Sequence, residues 1–171
     1  MPVETIKWTG GLDGCAELID QTKLPGEFVT LEIRTPEQMW QAIKVLSVRG
    51  APAIGIAGAM GLVLGVRESD ADDFDAFMQD LAEVKDYLAT SRPTAVNLFW
   101  ALDRMAETAR QNSDLSIPEL KERLLQEAKD IAEEDRETCR AIGRNGAELL
   151  SEGDCVLTHC NAGGLATADY G

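Results

Sequence analysis

Apolar and polar positions alternate through Glu27–Arg34, where Val29, Leu31 and Ile33 are separated by Thr30 and Glu32, and this period of two predicts a strand. Thr5–Trp8 and Glu17–Asp20 read as two further short strands. Gly10-Gly11, Asp13-Gly14 and Pro25-Gly26 punctuate them, so the chain opens with a small antiparallel sheet. The period changes at Thr35-Pro36-Glu37-Gln38, a capping-box spacing with proline at the first helical position. A helix to about Ser47 follows, with Met39, Ala42, Ile43 and Leu46 on one stripe. Ala51–Val66 is apolar on every side and carries Gly55, Gly58, Ala59 and Gly61, which predicts a central buried helix approached closely by other backbones. It is shorter than the ~20 residues that span a bilayer.

Asp72–Ala89 places Phe74, Phe77, Met78, Leu81, Val84 and Leu88 on one face of a surface helix. Arg92-Pro93-Thr94 opens the next, running through Val96, Phe99, Leu102 and Met105 to about Gln111. A second capping box, Ser116 to Glu119, starts a periodic stretch reaching Leu150, with Gly143 and Gly146 as points where it breaks or kinks. After Gly153-Asp154 the pattern becomes Cys155-Val156-Leu157-Thr158-His159-Cys160, a short apolar strand running into Asn161-Ala162-Gly163-Gly164 and a renewed helical signal at Leu165. This is the opening of an α/β unit. A single parallel strand cannot make a sheet, so the unit is incomplete. The predicted organisation is a helical domain with a small sheet over 1–116, a long connecting helix over 117–150, and the start of a second domain over 151–171.

Sixteen Lys and Arg against thirty Asp and Glu give a formal net charge of −14. That argues against non-specific binding of nucleic acid or an anionic membrane, and any anionic ligand needs local cations. The cysteines, Cys15, Cys139, Cys155 and Cys160, are scattered, and no basic region followed by an apolar run opens the chain, so a reduced cytoplasmic setting is expected. Cys155, His159 and Cys160 lack zinc-site spacing, and no metal is expected. His159 and Cys160 are consecutive, so on a strand their side chains diverge and make no dyad.

Three places carry candidate chemistry. Arg49-Gly50-Ala51 lies just before a helix N-terminus, where free amides, the helix dipole and a forked guanidinium suit a phosphate. Arg92 stands in the same position before the next amphipathic helix but one. Spacing alone leaves a carbonyl-capping arginine at the first place, and an ordinary salt bridge at the second, as alternatives. Cys160 ends the predicted strand ahead of glycines and a helix, the crevice position of open α/β sheets; a buried structural thiol is the alternative. Glu133, Glu134, Asp135 and Glu137 read as a solvated acidic face, with Asp135 the one whose apolar neighbours turn it inward.

Motifs along nearly the whole chain resemble the methylthioribose-1-phosphate isomerase family, within a superfamily that includes ribose-1,5-bisphosphate isomerases and the regulatory subunits of initiation factor 2B. They are Leu18-Ile19-Asp20-Gln21-Thr22-Lys23-Leu24-Pro25, Val48-Arg49-Gly50-Ala51-Pro52-Ala53, Arg92-Pro93-Thr94-Ala95-Val96-Asn97-Leu98-Phe99-Trp100, Ile142-Gly143-Arg144-Asn145-Gly146 and Leu157-Thr158-His159-Cys160-Asn161. The resemblance implies an α/β protein whose mostly helical N-terminal half, with its small sheet, meets a Rossmann-like domain beginning at 151–171, the site lying between them in a homodimer. It implies that Arg49, Gly50 and Ala51 contact a sugar phosphate, that Arg92 binds its phosphate, and that Cys160 is catalytic, without metal or organic cofactor. The implied reaction converts 5-methylthioribose 1-phosphate to 5-methylthioribulose 1-phosphate in methionine salvage. The family's catalytic aspartate falls beyond Gly171, so these residues alone are expected to be inactive. A ribose-1,5-bisphosphate isomerase and a non-catalytic regulatory subunit are the alternatives.

Overall fold

The computed structural model describes residues 3–171. Strands β1 (Ile6–Thr9), β2 (Cys15–Ile19) and β3 (Thr30–Ile33) form one antiparallel sheet in that order. Ile6 stands opposite Leu18, and Ala16 lies between Trp8 and Ile33. The predicted sheet is present with shifted ends. β2 stops before Asp20 because that carboxylate accepts hydrogen bonds from the N–H (3.1 Å) and hydroxyl (2.7 Å) of Thr22, bending the chain into a turn.

Five helices follow among the described residues: α1 (Pro36–Lys44), α2 (Ala51–Val66), α3 (Phe74–Ala89), α4 (Val96–Gln111) and α5 (Ile117–Ala147). α1 ends three residues earlier than predicted, because Leu46 turns into the left-handed region at φ 69° and breaks the helical ladder. α2 is the hub. Thirteen of its residues are buried, and it packs against α1, α3, α4 and α5. Its small residues explain how one helix serves several neighbours: a Cβ on Gly55 would stand 3.0 Å from the Asn97 carbonyl oxygen of α4, and one on Gly61 would stand 2.7 Å from Met39 Cγ of α1.

α5 adds Leu120, Leu124, Leu125, Ala128 and Ile131 to the same core. It continues unbroken through Gly143 and ends one residue after Gly146. Arg104 of α4 ties it down, donating to Glu127 at 2.5 Å and to Glu134 at 2.8 Å. Among the described residues no helix is long and apolar enough to cross a membrane.

The strand predicted over Cys155–Cys160 is not formed. Residues 151–163 are irregular, and Leu157 is 97% exposed. A parallel strand satisfies its N–H and C=O groups only through neighbouring strands, and among the described residues none lies beside this segment. The helical signal at Leu165 is realised as one 3₁₀ turn, Gly164–Ala166.

Candidate functional site

α2 and α4 run side by side in the same sense. Gly55, near the start of α2, faces Asn97 at the start of α4, and Gly58, one turn on, faces Leu98 and Leu102. The turns that carry Arg49 and Arg92 therefore lie at the same end of the helical layer.

These two helix starts differ chemically from the other three. α1, α3 and α5 begin at Thr35, Asp73 and Ser116, whose capping interactions are supplied by side chains, and each has an acid in its first turn, Glu37, Asp75 and Glu119. α2 and α4 have neither a side-chain cap nor a first-turn acid. Their free amides and positive dipole ends are left for an anion, in a chain with thirty acidic residues available. Neither Arg49, which is exposed, nor Arg92, which is half-buried, forms an ion pair among the described residues.

The Arg49-Gly50 turn is also the seat of the segment that follows Cys160. Gly50 has φ 103°, and a Cβ there would overlap the backbone of Ala166. The Thr5 hydroxyl donates to the Gly164 carbonyl at 2.7 Å, and the Thr5 N–H donates to the Ala168 carbonyl at 2.8 Å. Asp135 accepts from the Ala168 N–H at 2.7 Å, while Arg140 reaches Asp169 at 2.9 Å. Buried Gln21 joins the two sides: its Oε1 accepts from Arg49 Nε at 3.2 Å and its Nε2 donates to the Leu165 carbonyl at 2.7 Å.

Arg49, Gly50 and the turn after Cys160 are thus brought together, Ala51 opens α2 at the same point, and Arg92 lies in the turn leading into α4, four residues before that helix begins at Val96. Cys160 is exposed, with φ 61°, four residues before the seated turn. A cleft of about 260 Å³ between α2, α4 and α5 is lined by Pro52, Asn97, Trp100, Glu134, Asp135 and Thr138, among others. Burial pushes the Asp135 carboxyl above its ordinary range and nearby Asp169 adds to the rise, against the Ala168 N–H and Arg136. A larger cleft, about 600 Å³, lies beyond the C-terminal end of α2, where Asp70, Asp72 and Asp73 on its wall disfavour a phosphate.

Residue patterning marked the two arginines, and Asp135 turns inward as its apolar neighbours indicate. Thr5 and Gln21 carried no such signal. Gln21 lies within the Leu18–Pro25 motif, but its partners are 28 and 144 residues away in the chain.

The sequence profile of the initiation factor 2 subunit family matches residues 47–168, from the arginine turn to the seated segment. The chain belongs to that family. Within the initiation factor 2 subunit family the chain is similar to methylthioribose-1-phosphate isomerase of Symbiobacterium thermophilum, at 56% identity over 90% of this chain and 43% of the relative. It is similar to 5-deoxyribose 1-phosphate isomerase of Moorella thermoacetica at 54% identity, over 99% of this chain and 48% of the relative. Its structure is similar to that of the translation initiation factor eIF-2B delta subunit from A. fulgidus, with TM-score 0.83 and 47% identity over 97% of this chain and 47% of the other. The chain spans about half the length of these relatives.

Proposed function

We propose that the intact protein is an aldose–ketose isomerase that converts 5-methylthioribose 1-phosphate to 5-methylthioribulose 1-phosphate in methionine salvage. The observation that carries this reading is the pair of uncapped, acid-free helix starts, each preceded by an arginine without an acidic partner among the described residues and set side by side. Arg49, Gly50, Ala51 and Arg92 hold the substrate, with both arginines directed to its phosphate. Phosphate on C1 blocks simple aldehyde formation, so the ring must open while that phosphate stays held. Hydrogen then leaves C2 and arrives at C1 as C2 becomes the carbonyl, so no external oxidant or reductant enters the balance. Cys160 works on these carbons, and a carboxyl group in a water-poor pocket supplies the partner acid.

The remaining parts of the reading follow the likeness to the isomerases. Residues 1–116 form the helical domain, 117–150 the connecting helix and 151–171 the opening of a Rossmann-like domain. These 171 residues alone are inactive. The protein works as a cytoplasmic homodimer on a small-molecule sugar phosphate, without cofactor, nucleic acid or membrane.

The reading is checked with the intact protein in a ketose-forming assay on 5-methylthioribose 1-phosphate and 5-deoxyribose 1-phosphate, which differ only in the methylthio group at C5. Turnover is expected on the first, with Cys160→Ala losing at least about a hundredfold. Full activity of Cys160→Ala sinks the role given to that thiol. The likeness to the eIF-2B delta subunit favours a second reading, a regulatory subunit without catalysis. Absence of turnover and of saturable sugar-phosphate binding decides for it.

A further inference from the structure

We infer that Gln21 is a positioning residue of the site, one amide that sets the direction of the Arg49 guanidinium and at the same time ties it to the chain just after Cys160. The inference rests on the phosphate-binding role proposed for Arg49.

Gln21 follows β2 by two residues and is 3% exposed. Its backbone N–H donates to the Ser47 carbonyl at 2.9 Å, which brings its side chain beneath the α1–α2 turn. Burying a primary amide is costly unless both ends are satisfied, and an apolar residue of the same length avoids that cost. Both ends are satisfied here, by unlike partners. Arg49 Nε is a donor and requires the amide oxygen; the Leu165 carbonyl is an acceptor and requires the amide nitrogen. A flipped amide would set donor against donor and acceptor against acceptor, so its orientation is fixed by chemistry.

The consequence for Arg49 is specific. A guanidinium has five N–H donors, and its Nε–H lies on the opposite edge from the terminal pair that grips a phosphate in a fork. Holding Nε against Gln21 fixes the plane of the group while leaving the terminal nitrogens for a ligand. The consequence for the other partner is just as specific. Leu165 belongs to the 3₁₀ turn that sits on Gly50, five residues after Cys160, so the same amide locks the base of the Cys160 segment to the phosphate-binding turn. Loss of the oxygen should weaken ligand binding, whereas loss of the nitrogen should misplace the thiol.

Two variants of the intact protein separate these arms. Gln21→Glu keeps an oxygen for Arg49 but has no N–H for Leu165. Gln21→Met keeps the length and offers neither. For Gln21→Met, KM for the sugar phosphate is expected to rise about tenfold, the scale of one hydrogen bond to a charged group, and kcat to fall. For Gln21→Glu, KM stays near that of the parent protein while kcat falls. Unchanged kinetics in both variants, or a KM in Gln21→Glu as high as in Gln21→Met, overturns the inference. Should Gln21→Met fail to fold, Gln21→Glu decides alone by the same split between KM and kcat. A readout without substrate uses selective arginine labelling: the Arg49 Nε–H resonance is expected to be dispersed and slow to exchange in the parent protein and in Gln21→Glu, and to collapse to the solvent-averaged position in Gln21→Met. If the parent protein turns over neither sugar phosphate, the functional reading fails, and the resonance still confirms or refutes the positioning.

Discussion

Gly50 concentrates two constraints in one position. Its φ of 103° is strained for any residue with a Cβ, and that Cβ would occupy the space of the Ala166 backbone. Gly50→Ala should therefore cost roughly 2–4 kcal/mol in the folded protein, from left-handed strain together with overpacking. Urea unfolding should show the loss as a lower midpoint, and faster proteolysis after residue 160 should show that the seated turn has been lifted. An unchanged midpoint with unchanged proteolysis would count against both constraints. Sequence reasoning reached half of this. A glycine between an arginine and a helix start is legible as a turn before a helix, because that information is local. The contact with Ala166, and the bridge from Gln21 to Leu165, join residues more than a hundred positions apart, and no periodicity encodes them.

At the scale of elements, α2 was readable almost completely, since an apolar surface on all sides combined with small residues permits only a central helix with close neighbours. α5 was less so. Its acidic run reads as a solvated face with Asp135 turned inward, and Glu134 is exposed and pairs with Arg104 while Asp135 accepts from the Ala168 N–H; upstream Glu127, outside that run, is buried between Arg104 and Arg123. The burial of Glu127 was not legible locally, because Arg104 reaches it from α4 while only Arg123, one turn away, lies on α5 itself. Asp135 has a pH signature. Burial, with Asp169 nearby, raises its folded-state pKa above the ordinary 3.8, so between that value and the raised one the folded state binds more protons than the unfolded chain. Stability then falls as pH rises through that window, by the linkage between proton uptake and unfolding. Asp135→Asn retains an oxygen for the Ala168 N–H and does not ionise. Its melting temperature relative to the parent protein should climb in the variant's favour as pH rises from about 4 through the raised value, and level off above it. Parallel melting curves across that range would show that the raised carboxyl carries no energetic weight.

For the whole molecule, the apolar surface left open is unevenly placed. Ile142, Leu149, Leu150, Val156 and Leu157 are all exposed, and they cluster in sequence at the end of α5 and in the irregular segment after it. Their pattern reads as a helix end followed by a buried strand, and no strand forms there: among the described residues the one sheet is β1-β2-β3, which leaves this segment without a neighbour. The consequence concerns association. A run of apolar side chains beside unpaired backbone groups is a template for pairing with another chain. The formal charge of −14 opposes this, but its repulsion is screened over about 8 Å at physiological salt, while the apolar drive is not. The 171-residue chain, prepared alone, should therefore self-associate, and more strongly as salt is added. Sedimentation velocity at rising ionic strength checks this, with Leu150→Glu/Leu157→Glu expected to restore a single slow species by placing charge where the contact forms. A monomer at every salt concentration, or association untouched by the double substitution, would place the sticky surface elsewhere.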